Sequence, residues 1–123
     1  MKRIYLKVII GCFFSCVFLP AKAECKKVED TEFNSMLQHN KPLELVFFSS
    51  WCGDCKDHLE NLAKLQNKIK SKIIIINTFD RIENGNKALK ELKIELPCYF
   101  DKDKVIANKF NVKSVPAHVK IEK

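Results

Sequence analysis

The chain is 123 residues long, with 22 basic against 15 acidic side chains, a formal net charge of +7 and six cysteines. That length describes one domain. Lysine and glutamate are interspersed, with neither a basic stripe nor a recognition motif, which argues against nucleic acid as a partner.

The first segment, MKRIYLKVIIGCFFSCVFLPAKA, joins Lys2, Arg3 and Lys7 to an apolar run from Val8 to Leu19 and closes on Ala21-Lys22-Ala23. A basic start, a short apolar centre and a small-x-small ending predict a cleaved signal peptide over residues 1–23. The apolar run is shorter than the ~20 residues that a membrane span needs. Removal takes four basic residues and no acidic ones, so residues 24–123 carry 18 basic against 15 acidic side chains, a mild +3. Cys12 and Cys16 leave too, and Cys25, Cys52, Cys55 and Cys98 remain. The expected location is the periplasm or an equivalent exported space, with no stable membrane association after cleavage. In an oxidising compartment thiols are paired or actively kept reduced. Four cysteines permit three pairings, and the two-residue spacing favours Cys52 with Cys55.

Residues 29–39 predict a short helix capped by Thr31, with Phe33, Met36 and Leu37 as its apolar stripe. Leu43 to Phe48 is apolar except for Glu44, the pattern of a strand buried on both faces. A helix is expected from about Cys52 to Lys70, because Cys55, Leu59, Leu62, Leu65 and Ile69 recur at steps of three and four. Ile73 to Ile76 reads as a second buried strand. Asn84-Gly85-Asn86 reads as a turn before a short helix over Lys87 to Leu92. Ile94 to Phe100 reads as a strand, with Pro97 arguing for an edge or irregular position. Asp101 to Lys104 forms a turn, Val105 to Phe110 a short helix, and Val115 to Ile121 the last strand. Strands alternating with helices imply an α/β domain with a partly parallel sheet.

The cysteine pair carries the chemistry. The thiolate attacks a disulfide, so a redox cysteine needs its pKa lowered from ~8.5. A helix N-terminus does this through unpaired N–H groups and the macrodipole. Cys52 stands at that terminus as the outer, attacking sulfur. Cys55, one turn deeper on the inward stripe, would resolve the mixed disulfide. Gly53 is expected to permit the tight turn. Asp54 adds negative charge beside the nucleophile and argues for a reducing pair over a strongly oxidising one.

The segment VFFSSWCGDC, Val46 to Cys55, resembles the strand followed by W-C-x-x-C of thioredoxins, with Trp51 just before the first cysteine. A distant segment, NKFNVKSVPAHV, resembles the one in which thioredoxins place a cis-proline beside the disulfide. The resemblance runs from about Val28 to Ile121. It implies a thioredoxin-like α/β fold, a central mixed sheet flanked by helices, acting as a thiol–disulfide oxidoreductase. Cys52 and Cys55 would be catalytic, and Trp51, Gly53, Asp54, Val115 and Pro116 would meet the substrate. The partners implied are protein thiols or disulfides and a redox protein that supplies electrons; no cofactor and no metal are expected. Ile94 to Val112 looks like the insertion of exported thioredoxin-like proteins that serve cytochrome maturation. Three positions depart from the pattern. Val46 stands where thioredoxins carry a buried Asp, which leaves the proton partner of Cys55 to water or Glu44. Glu60 replaces a helix proline. The chain stops at Lys123, where the family continues into another strand and helix, so the last strand is expected to be an open edge with one sheet face uncovered.

Other readings remain. Cys52-x-x-Cys55-x-x-His58 presents three residues of zinc-ligand type, but zinc sites recruit a second distant pair. Cys98 reads as a small buried hydrophobe or as the partner of Cys25 in a second disulfide. His39, His58 and His118 read as residues without catalytic part. The alternative function is a thioredoxin-fold assembly or interaction protein of a secretion or conjugation apparatus, with a structural disulfide and a partner docked by strand addition.

Overall fold

The computed structural model describes residues 24–65, 68 and 71–122; the expected signal peptide, Ile69 and Lys70 lie outside the described residues. The elements in chain order are β1 (Cys25–Lys27), α1 (Asp30–His39), β2 (Leu43–Phe48), α2 (Gly53–Leu65), β3 (Lys72–Asn77), α3 (Ile82–Glu91), β4 (Cys98–Phe100), α4 (Val105–Lys109) and β5 (Ala117–Ile121). A 3-10 turn, Lys102–Lys104, precedes α4. The sheet order is β1-β4-β3-β2-β5. The first four strands pair in parallel, and β5 runs antiparallel to β2.

The apolar runs explain the centre of this sheet. All six residues of β2 and five of the six in β3 are buried. Period-two geometry divides them between two cores. Val46, Phe48, Ile73 and Ile75 pack with Cys55, Leu59 and Leu62 of α2 and Ala88 and Leu89 of α3. Leu43, Leu45, Phe47, Ile74 and Ile76 pack with Phe33 and Leu37 of α1 and Ile106 and Ala107 of α4. β5 is an open edge without a fully buried residue. α2 and α3 lie over one face and α1 and α4 over the other, and the uncovered part of the α2 face is confined to β5, whose His118 and Lys120 are exposed.

Several boundaries move for identifiable reasons. Glu29, in extended conformation, precedes α1, and no side chain caps it. Thr31 lies inside the first turn instead. Leu65 is exposed, so the inward stripe of α2 ends at Leu62. The expected turn at Asn84-Gly85-Asn86 is the middle of α3. There Gly85 meets the Asn77 side chain so closely that a Cβ would overlap it. Asn86 turns its side chain outward from the helix, its Oδ1 accepting the Cys25 N–H at 2.6 Å. Tertiary contacts thus use these two residues for close approach and for tying β1 to α3. The overlap outweighs the helix propensity that alanine would add, so Gly85→Ala is expected to lower the urea midpoint, with a loss of roughly 1–3 kcal/mol for overpacking.

β4 is shorter than the predicted strand and lies inside the sheet, between β1 and β3. Pro97 stands just before it. Its carbonyl accepts the Ile75 N–H at 2.8 Å, so the missing proline donor falls outside the ladder. Strand β1 pairs Cys25 opposite Cys98, and a disulfide joins the two. Asp101 follows β4 as a buried carboxylate whose oxygens accept the Ile106 and Ala107 N–H groups and the Thr78 hydroxyl. It fixes the start of α4.

Candidate active site at the carboxyl ends of the strands

Parallel pairing brings the loops after β2, β3 and β4 to one end of the sheet, where ligands of open α/β sheets are usually met. The loop after β2 carries the cysteine motif. Cys52 N–H donates to the Ser49 carbonyl at 3.1 Å, which turns the chain sharply from strand to helix. α2 then begins at Gly53, and Cys52 occupies the capping position. Its Sγ accepts the Cys55 N–H at 3.1 Å. The sulfur therefore fills the place that an oxygen fills in an ordinary N-cap.

Cys52 and Cys55 form a disulfide with Cα atoms 5.2 Å apart. Cys52 is 8% exposed and Cys55 fully buried. The outer and inner sulfurs expected from the helix stripe are thus ordered as expected, although both are largely covered. Gly53 has no left-handed φ, and a Cβ there would meet nothing within 4 Å. The tight turn does not depend on glycine; Gly53 and Asp54 instead form an exposed surface beside the outer sulfur.

The loop after β3 holds the motif loop in place. Ser49 Oγ donates to the Thr78 carbonyl, and Thr78 N–H donates to the Phe48 carbonyl at 3.0 Å. Ser50 N–H donates to Asp80 Oδ2 at 2.6 Å, while Asp80 Oδ1 accepts the Arg81 N–H. Trp51 donates its indole N–H to the Phe79 carbonyl at 2.9 Å. That bond orients a ring which is otherwise 64% exposed. Trp51 is therefore a tethered surface ring beside Cys52 and fills no core.

The remote segment arrives from the antiparallel strand. Ala117 pairs with Phe47, so residues just before Ala117 lie beside the exit of β2, where the motif begins. The Val115–Pro116 peptide is cis. Val115 packs against the core cluster that contains both motif cysteines, while Pro116 is exposed. The two quoted segments, separated in the chain by residues 56–107, thus meet at one end of the sheet.

The histidines make contacts that no local pattern in the sequence signals. On the α2 side of the sheet His118 of β5 pairs with the carboxylate of Glu44, which is buried. The His58 ring of α2 meets the His118 ring edge-to-face, centroids 5.7 Å apart. Burial, and after it the charge of His118, hold the His58 imidazole below its ordinary pKa of 6.5. Among the described residues no group of three or more His, Cys, Asp or Glu is arranged to hold a metal ion. Cys98 and Cys25, the other two cysteines of residues 24–123, are bonded to each other. No helix among the described residues is long and apolar enough to cross a membrane.

A family model described as AhpC/TSA matches residues 19–123. Among solved structures, a secreted disulfide oxidoreductase of Mycobacterium tuberculosis, described as homologous to E. coli DsbE, has a TM-score of 0.61 at 23% identity, over 68% of this chain and 63% of its own. StoA from Bacillus subtilis has a TM-score of 0.59 at 18% identity, over 68% of this chain and 66% of its own. The thioredoxin domain of a thiol-disulfide oxidoreductase from Bacteroides vulgatus has a TM-score of 0.59 at 24% identity, over 68% and 64%. The chain spans less than two thirds of each of these proteins. The likeness is one of fold, and the fold is thioredoxin-like. No curated protein matches the chain.

Proposed function

The chain belongs to the AhpC/TSA family, and from that premise we propose that it is an exported thiol–disulfide oxidoreductase working through Cys52 and Cys55 on protein substrates. One observation carries this reading: Cys52 Sγ already accepts an N–H from the first turn of α2 while bonded to Cys55. After reduction the same N–H and the helix dipole favour a thiolate at that atom.

In the reducing direction, the Cys52 thiolate attacks one sulfur of a substrate disulfide. A Cys52–substrate bond forms, and the substrate's other sulfur leaves as a thiol. Cys55 then attacks Cys52 Sγ, the Cys52–Cys55 bond forms, and the second substrate sulfur departs reduced. Two electrons pass to the substrate, and a partner dithiol protein must return them. No organic cofactor enters. Trp51, Gly53 and Asp54 present an exposed surface beside Cys52 for the substrate chain, with Val115 and Pro116 across from it.

The reducing direction rests on Asp54, an exposed carboxylate in the first turn of α2. Its charge opposes a thiolate on Cys52, two residues away, and so weakens the pair as an oxidant. The reduction potential is expected in the lower half of the range from about −270 mV to about −120 mV that spans thioredoxin and strong periplasmic oxidants. Thiol trapping of the purified protein across a glutathione redox series measures it. A pair that stays oxidised at every poise would sink the enzyme reading.

The periplasm or an equivalent space is supported by the leader-like residues 1–23 and by the second disulfide, Cys25–Cys98. A docking module is the second reading, favoured by the open edge of β5. Under it, Cys52→Ser would retain full biological function as well as partner binding.

A further inference from the structure

The resolving step just described leaves one proton unaccounted for. Cys55 must lose its thiol proton to attack Cys52, yet it is fully buried among Val46, Leu59, Leu62 and other apolar side chains. Burial in such surroundings disfavours a free thiolate. Among the described residues two buried carboxylates exist, Glu44 and Asp101. Asp101 is committed to the start of α4 and to Thr78. Glu44 is not tied to backbone.

Three independent placements bring Glu44 into line with Cys55. In β2, Glu44 lies two residues before Val46, so both face the α2 side of the sheet. In β5, His118 is the register partner of Val46, and its Nε2 meets Glu44 Oε1. An ionised carboxylate only accepts, so that contact uses Nε2–H as donor. In α2, His58 follows Cys55 by three residues, a spacing that makes the two neighbours on the helix surface. His58 closes the row by meeting the His118 ring.

We propose that Glu44, His118 and His58 form a proton-exchange cluster for the inner sulfur, with His58 receiving the thiol proton of Cys55 as Cys55 attacks the mixed disulfide. This inference rests on the oxidoreductase reading above. The balance is complete within the step. The Cys55 S–H bond breaks, its proton passes to an imidazole nitrogen of His58, and the Cys52–Cys55 bond forms as the Cys52–substrate disulfide breaks. The departing substrate thiolate takes up one proton. The reverse step returns the proton from His58 to Cys55 when the pair is reduced.

The environment suits this role. The lowered pKa of His58 keeps its imidazole neutral, and so able to accept, near pH 7. The groups facing it are known from each element around it. His118 and Glu44 lie across from it on the strands, with Lys120, the exposed register partner of Glu44, beyond. Asp54 stands one turn back on α2, where its carboxylate favours the imidazolium as it forms. Glu44, paired with His118, offsets the charge by which His118 opposes that imidazolium. His118 and Glu44 are positioning residues, and they act through His58.

Two measurements on the full chain test this. His58 is titrated by NMR in the oxidised and in the reduced protein, and its midpoint is expected to move between the two forms. An identical titration in both overturns the proposal. Second, the reduced protein is mixed with glutathione disulfide, and release of the second glutathione is followed against pH. The native rate is expected to rise through the His58 titration. In His58→Gln that rise is lost and the rate at pH 7 falls on the order of a hundredfold, the scale of general base catalysis. His118→Gln shifts the profile while leaving a residual rise. A His58→Gln profile matching the native one overturns the proposal while the oxidoreductase reading stands. A native pair that cannot be cycled by glutathione overturns both, and the two failures are thereby told apart.

Discussion

A Cys55→Ser protein is expected to capture its substrate and fail to release it. The outer sulfur remains at the N-terminus of α2, where the Cys55 backbone N–H still reaches it, so attack on a substrate disulfide survives the substitution. The second step does not. Resolution needs a thiol on the next turn of the same helix, and Ser offers a hydroxyl that cannot form a disulfide. Incubation with an oxidised protein substrate should give a mixed disulfide at Cys52, visible on a non-reducing gel and by intact mass. Turnover should fall by roughly a thousandfold or more, the scale on which an essential covalent residue acts. Cys52→Ser should lose capture as well as turnover. Undiminished turnover in either variant would defeat the assignment of attacking and resolving sulfurs.

The second large effect concerns stability. Cys25–Cys98 closes a loop across a sequence separation of 73 residues. In the chain-entropy account a crosslink of that span stabilises by about 4 kcal/mol. Both cysteines are buried in the same core as the motif, and β1 is only three residues long. Without the bridge, the N-terminal strand keeps its short ladder to β4 and the Asn86 contact, and little else. The double variant Cys25→Ala, Cys98→Ala is expected to lower the unfolding free energy by about 4 kcal/mol, read from urea curves, with the motif still able to cycle. A change under about 1 kcal/mol would mean that the bridge stabilises little beyond its own packing.

The centre of the fold was legible because burial on both faces writes a simple pattern. Leu43–Phe48 and Ile73–Ile76 are apolar runs that have few alternatives in an α/β chain. The cysteine motif was legible because its chemistry needs two sulfurs at a fixed local spacing. Elements whose conformation is decided by distant contacts were not. β1 is Cys-Lys-Lys, with two exposed lysines, and exists through its partner β4. The turn residues at Asn84 to Asn86 describe local preference correctly, yet packing against Asn77 and Cys25 draws them into α3. Glu44 did leave a trace: a carboxylate in a strand buried on both faces requires a partner. That partner is 74 residues away, and no local pattern could name it. His118 alternates along β5 like any edge residue, and His58 alone looks like a solvated helix position.

The hydrogen bonds from Ser49, Ser50 and Trp51 to Thr78, Phe79 and Asp80 have a bearing on protein engineering. The shape of the cysteine loop is specified by its neighbour, and that neighbour is anchored through Thr78 to Asp101 and α4. A graft of the hexapeptide Ser50–Cys55 onto another α/β scaffold would import the sulfurs without the mould that shapes them. The transferable unit is a set of three loops from three adjacent parallel strands, and a chimera would have to move all three to keep the outer sulfur on the helix end.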